Sequence, residues 1–267
     1  MHYYKYYSTN KLSFKTLRNN RIFFANPSLL NDSFDTSSKI VEAYPNFCKS
    51  IGWTSIGKMN LNQHGIFSMS KGNRPDNRHL WSLYAGNFTG FAIEFRNEIL
   101  KSFTGQNNLC ISSVQYVKRP LDLDNHRSTY SIPEREEGHS YNISDCWRFG
   151  DTYIQLSDGS LCLIDKLKAQ ERLFEYLHLQ KDSAIWQMEK EARIIICNSV
   201  PSQAKVLRNG YYMTLPQGCI AKIYIGKYMK GVFKKRLKKI AKRLLAETYE
   251  VEPKIIQGNW DVEITKV

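Results

Sequence analysis

Paired thiols are missing from this chain. Its six cysteines, Cys48, Cys110, Cys146, Cys162, Cys197 and Cys219, lie scattered with no C-x-x-C spacing. That removes a zinc knuckle and a dithiol redox motif, and it makes a disulfide framework a poor choice for a chain of this length. Cys110, Cys197 and Cys219 fall in β-type runs and are expected to behave as small core residues. No apolar run approaches the ~20 residues that span a bilayer. The opening Met1-His2-Tyr3-Tyr4-Lys5-Tyr6-Tyr7-Ser8 contains no signal-peptide stretch. A cytoplasmic protein without a membrane partner is therefore expected. Internal repeats, low-complexity tracts and the patterns G-x-G-x-x-G, Walker A, G-x-S-x-G and H-E-x-x-H are all absent. Standard nucleotide-fold, hydrolase and zinc-protease chemistries are disfavoured accordingly.

What is present is enough for a core. The 267 residues are 42% apolar, 24% charged and 13% aromatic, with 16 tyrosines. Wholesale disorder is excluded by that composition, and the length suits one large domain or two small ones. Net charge is +13, but it is concentrated. Residues 227–243 hold nine Lys/Arg and no acid, leaving +4 for the rest (13 − 9 = 4). Met229, Phe233, Leu237, Ile240 and Leu244 recur there as an apolar stripe, predicting an amphipathic helix over about 227–247. Lys234, Lys235, Lys238 and Lys239 lie off that stripe. They read either as a solvated face or as a rail for RNA or DNA phosphate, and the two readings are compatible.

Along the chain, Thr9 or Asn10 is placed to cap a helix ending at Arg18, followed by a strand over 21–24. Strands are expected at 65–70, 90–95, 110–117, 191–197, 219–225 and 260–265, with helices near 77–85 and 161–179. Strands and helices mix without β-α-β-α alternation, which predicts an α+β class with a mixed, largely antiparallel sheet and flanking helices. We read residues 1–267 as a single domain carrying an irregular polar insertion at about 118–159. His126 and His139 in that insertion lack a third partner at ligand spacing, so no metal is predicted.

Four clusters resist explanation by packing alone. Tyr3-Tyr4-Lys5-Tyr6-Tyr7, as a strand, puts Tyr4 and Tyr6 on one face and Lys5 on the other, as an edge strand with a solvated lysine also would. Asn31-Asp32-Ser33-Phe34-Asp35 is a loop stiffened by Asx-turns, or one that offers amides to a nucleotide; it lacks the Gly and distal Glu of an EF-hand. Trp81 and Tyr84 share a helix face, either core or a stacking platform for a flat ring. Glu189, Glu191 and Arg193 would line one face of a strand. Buried there, they must be paired or functional, because an isolated buried charge is costly.

In their order these clusters resemble a bacterial family, domain-of-unknown-function family 2971. The matching features are Tyr4-Lys5-Tyr6; the Asn31–Asp35 loop; Trp81 and Tyr84 with the strand from Gly90; Val114 and Tyr116; Lys181, Trp186, Glu189, Glu191 and Arg193; and Ile220, Ile223 and Gly226. They span roughly residues 3–226. Ser33 replaces the family's usual Pro, and Ala192 an aromatic. A looser resemblance is to toxin-type ADP-ribosyltransferases, which place a basic residue on the first strand, aromatics around nicotinamide and a glutamate on a late strand. That resemblance implies NAD as substrate. Glu191, then Glu189, would stabilise the oxocarbenium-like centre, with Arg193 orienting the carboxylate. Lys5 or Arg193 would hold the pyrophosphate or orient the glutamate, and Tyr6, Trp81 or Tyr84 would stack on nicotinamide. Asn31 and Asp32 would order the ligand loop. A toxin or phage-defence effector that modifies RNA or DNA, restrained by a cognate antitoxin or defence protein, is the function so implied. The rival is a non-catalytic nucleic-acid-binding or antitoxin-like module, in which Glu191 and Arg193 form a structural ion pair.

Overall fold

Alternation of polar and apolar residues sets the first elements. In β1 (His2–Tyr7) Tyr4 and Tyr6 are buried. Asn10 then caps α1 (Lys11–Arg18) by accepting from the Ser13 amide at 2.8 Å, and Phe14 and Leu17 bury its inner face. The computed structural model describes residues 1–30, 32, 64–107, 109, 111–118, 178–196 and 200–267, plus the backbones of four short strands between 129 and 164.

Beyond β1 and α1 come β2 (Arg21–Ala25), a 3-10 turn at Pro27–Leu29, β3 (Gly65–Gly72), α2 (Arg78–Leu83), β4 (Phe91–Phe95) and α3 (Asn97–Gln106). Next are β5 (Ile111–Ser113), β6 (Gln115–Val117), β7 (Thr129–Ser131), β8 (Ser140–Asn142), β9 (Thr152–Gln155) and β10 (Leu161–Ile164). Then follow β11 (Gln180–Asp182), α4 (Ser183–Trp186), a second 3-10 turn at Gln187–Glu189 and β12 (Glu191–Ile196). The chain continues with β13 (Lys205–Leu207), β14 (Gly210–Thr214), β15 (Ile220–Gly226), α5 (Gly231–Leu244), β16 (Glu247–Ile256) and β17 (Asn259–Lys266).

Eleven strands form one sheet in the order β13-β14-β2-β3-β1-β4-β15-β16-β17, with β12 pairing β3 and β5. Every pair in it is antiparallel except β15–β16, which α5 connects. The class is α+β with a mixed, mostly antiparallel sheet, as the sequence predicts.

The sheet forks at β3. One edge of β3 pairs β12 from Gly65 to Ser70. The other is shared: Ile66 pairs Ala25 of β2, while Ser70, Lys71 and Gly72 pair Tyr4, Tyr3 and His2 of β1. After Tyr4, β1 leaves β3 and continues against β4 alone. Lys5 and Tyr6 thus face an opening beside Phe67–Ser68–Met69.

Side-chain alternation gives the two sheet faces different cores. One holds Phe67, Ile93, Ile194 and Ile223 under α1, α3 and α5, with Phe14, Leu100, Leu237 and Ile240 packed in. The other holds Tyr4, Tyr6, Ala92 and Tyr224 under α2, with Trp81, Phe88 and Val251. Gly226 sits where the backbones of the β15 end and the turn before β4 nearly touch. A Cβ there would stand 2.1 Å from the Phe88 carbonyl oxygen. Gly226→Ala is expected to lower unfolding free energy by about 3 kcal/mol, the upper range for overpacking, as urea titration would read.

Two expectations are corrected, and one strand was not foreseen. The helix expected over 161–179 begins instead as the strand Leu161–Ile164, because a short apolar run does not distinguish the two. The strand over 110–117 breaks at Val114, whose amide donates to the Glu191 carbonyl while the Gln115 amide donates to Leu179. The sequence reading has no counterpart of β16, in which Pro253 argues against a central strand. β15 ends opposite Val251, so Pro253 stands where only β17 is paired.

Candidate functional site

The fork in the sheet opens into a cavity of about 260 Å³. Lys5 and Tyr6 of β1, Ser68 and Ser70 of β3, Leu29 and Leu30 after the first 3-10 turn, and Tyr84 after α2 line it. Lys181, Glu189, Glu191 and Arg193 complete the wall.

β12 explains the charged floor. Glu191 and Arg193 pair with Ser70 and Ser68, on the face that carries Tyr4. Arg193, 1% exposed, clamps Glu191 in bidentate fashion, Nε to Oε1 at 2.8 Å and Nη2 to Oε2 at 3.1 Å. Its Nη1 donates to the His178 carbonyl at 2.5 Å. Lys181 reaches between the two acids, its Nζ 2.9 Å from Glu189 Oε2 and 3.1 Å from Glu191 Oε2. The same ammonium stands 4.3 Å from the Trp186 ring centroid. Tyr84 donates its hydroxyl to Glu189 Oε1 at 2.7 Å, and Tyr116 accepts from the Glu191 amide at 2.6 Å. Two carboxylates and two cations are thereby buried together with their hydrogen bonds made, the condition for holding charge out of water.

Glu189 does not lie on the strand, contrary to the sequence expectation. It closes the second 3-10 turn, and Lys190 follows in the left-handed region at φ 47°. The turn is held by Ser70, whose hydroxyl donates to the Glu189 carbonyl at 2.8 Å, and by the Lys71 amide donating to Lys190. The bend brings Glu189 over Lys181, so the acid pair converges from a turn and a strand.

Burial alone would raise the Glu191 carboxyl, but Arg193 and Lys181, with hydrogen bonds from Arg193 and Ser68, bring it down to about 2. A folded-state value below the ordinary 4.5 means stabilisation that is complete above pH ~4.5 and disappears as pH falls toward 2. That contribution is about 3 kcal/mol. Urea titrations from pH 6 down to pH 2 should show it, and Glu191→Gln should flatten the profile. Burial lowers Lys5 to about 8, against the opposing pull of Glu191 and Glu189. Its ammonium lies 5.3 Å from the Phe67 ring centroid.

Of the residues singled out from sequence, Lys5, Tyr6, Tyr84, Glu189, Glu191 and Arg193 meet in this one cleft. Trp81 does not. It is fully buried, stacked on Phe88 at 5.1 Å and edge-on to Tyr6 at 5.5 Å, with Nε1 donating to the Pro75 carbonyl. A ring so enclosed offers no face to a ligand; Trp81 is packing. Asp32 is buried and does not line the cleft; Asn31 lies outside the described residues, as do His126 and His139. Among the described residues no three His, Cys, Asp or Glu side chains are placed to hold a metal ion.

The sequence reading gave no role to Lys181, Ser68, Ser70 or Tyr116. Ser68 and Ser70 carried a signal, two polar residues at alternate positions of an apolar strand. Lys181 stood out only as a match to the family's ordered motif; its burial had no local signal, since a lysine is usually exposed.

The basic helix forms as Gly231–Leu244, shorter than expected, with Leu237, Ile240, Ala241 and Leu244 buried. Lys235, Lys238 and Lys239 are exposed. Lys234 is engaged: its ammonium lies 2.6 Å from Glu250 Oε2 and 2.8 Å from the Lys227 carbonyl. No described helix is long and apolar enough to cross a membrane.

No curated protein and no solved structure matches the chain. Residues 80–194, which carry Tyr84, Lys181, Glu189, Glu191 and Arg193, match the family described as "Protein of unknown function (DUF2971)", the family that the ordered sequence motifs resemble.

Proposed function

We propose that the protein is a cytoplasmic, NAD-consuming ADP-ribosyltransferase-like enzyme, a toxin or phage-defence effector with a nucleic acid as acceptor and a cognate antitoxin or defence protein as restraint. The observation that carries this reading is the convergence of Glu189 and Glu191 on Lys181 in a cleft that also holds Lys5, Tyr6 and Tyr84. At about 260 Å³ the cleft has room for a nicotinamide ring and its ribose, with the rest of the dinucleotide outside.

In the proposed reaction the bond between ribose C1′ and the nicotinamide nitrogen breaks, and its electron pair leaves with nicotinamide. The cationic ribose is stabilised by the fixed carboxylate of Glu191. A lone pair of the acceptor then forms the new bond to C1′, and the acceptor's proton passes to Glu189. Lys5 neutralises pyrophosphate, and Tyr6 and Tyr84 flank nicotinamide. Arg193 acts through Glu191 as a positioning residue.

Incubation with labelled NAD, alone and with RNA, DNA and protein acceptors, tests the reading by nicotinamide release. A second reading, the non-catalytic nucleic-acid-binding or antitoxin-like module, draws on the bidentate Arg193 clamp, which a purely structural ion pair would also show. Absence of nicotinamide release with every acceptor favours that module.

A further inference from the structure

On the sheet face away from α2, α1 and α5 pack through Phe14 and Phe233, whose ring centroids lie 5.6 Å apart. Beside this contact is a groove of about 560 Å³ lined by Arg18, Arg236, Lys239, Ile240, Lys242 and Arg243. Five of its six lining residues are cationic. Among the described residues none of these five is in an ion pair, although Lys222, Lys227, Lys234, Lys254 and Lys266 each hold a carboxylate. Arg236 rests its guanidinium 5.2 Å over the Phe14 ring, which fixes its direction.

Helix dipoles account for only part of this charge. Arg18 closes α1, and Lys242 and Arg243 lie in the last turn of α5. Two helix C-termini contribute roughly one negative charge together, against five positive ones. Among the described residues the excess has no carboxylate partner.

We infer that this groove binds the phosphodiester backbone of a nucleic acid, independently of the NAD reading and on the face opposite the acidic cleft. Arg236, Lys239 and Arg243 stand at i, i+3 and i+7, about 10.5 Å of helix axis. That length spans about three phosphate-to-phosphate steps of one strand, at ~3.4 Å of axis per charge. Three of the five cations are arginines, whose planar fork suits phosphate oxygens. The charges line a concavity, which accepts a strand rather than a flat lipid surface. Among the described residues no aromatic side chain lines the groove, so the expected binding uses no base stacking and is independent of sequence.

Fluorescence anisotropy of the full chain with labelled mixed-sequence 20-mers, single-stranded RNA and duplex DNA, over 50–200 mM salt tests this. Binding of both that weakens linearly in log salt is expected. The triple variant Arg236→Gln/Lys239→Gln/Arg243→Gln should lose at least tenfold in affinity and reduce the slope by about 2, at ~0.7–0.9 per phosphate contact. Arg18→Gln, on the other wall, should lose a smaller factor, and Lys234→Gln, tied to Glu250, should bind as the wild type. Circular dichroism checks that each variant is folded. No binding at 50 mM salt overturns the inference, and so does a folded triple variant with wild-type affinity. Tighter association with phosphatidylserine vesicles that the oligonucleotides do not compete for also overturns it. Nicotinamide release by the triple variant without added acceptor should equal that of the wild type, so failure here is distinguishable from failure of the enzyme reading.

Discussion

Glu191→Gln should reduce nicotinamide release from NAD by about 10³-fold, close to 4 kcal/mol of transition-state stabilisation. Gln keeps the shape of the side chain and removes the charge that would face the ribose cation. Glu189→Gln should cost less, about tenfold, because its assigned task is proton acceptance and water can substitute. Glu191→Gln also leaves Arg193 and Lys181 short of one negative charge, so the measurement needs folded protein, confirmed by near-ultraviolet circular dichroism. A folded Glu191→Gln variant as active as the wild type would end the catalytic assignment. Equal losses in both variants would assign the two acids to one shared step.

Lys181→Met should be the most destabilising single change in the site. The lysine is 5% exposed and bridges two carboxylates that are themselves 4% and 6% exposed. Methionine fills much of its volume and keeps contact with Trp186, but it leaves Glu189 and Glu191 facing each other in a dry setting. Breaking a buried pair from one side costs about 3–5 kcal/mol, or roughly a 10 °C fall in Tm for a chain of this size. Lys181→Met combined with Glu189→Gln should recover part of that loss, since the excess negative charge is removed. A melting temperature within 2 °C of the wild type for Lys181→Met alone would show that the bridge contributes little.

The fold class was legible because it depends on patterns that survive in one dimension. The alternation in β1, the Asn10 cap and the stripe of α5 each report a local preference that the tertiary structure keeps. Most of the charged floor was legible for a related reason: two acids and an arginine next to an apolar strand are hard to place except in pairs. What failed was non-local. Trp81 and Tyr84 share a helix face in sequence, but the enclosure of Trp81 needs Tyr6, 75 positions away (81 − 6 = 75), beside its chain neighbours Pro75 and Phe88. Lys181 is buried because β11 runs parallel to β6 beside the acid pair, a pairing that no local pattern encodes. The likeness to ADP-ribosyltransferases stays a proposal, resting on residue types and on the cleft.

The fork that creates the cleft also sets when it can exist. Lys5 and Glu191 are separated by 186 positions (191 − 5 = 186), and neither wall encloses anything without the other. At ~5–20 residues per second of translation, about 10–40 s pass between the ribosome's addition of these two residues. During that interval the nascent chain has no pocket. The cleft is therefore a late product of synthesis, assembled only once the strand that carries Glu191 has joined β3.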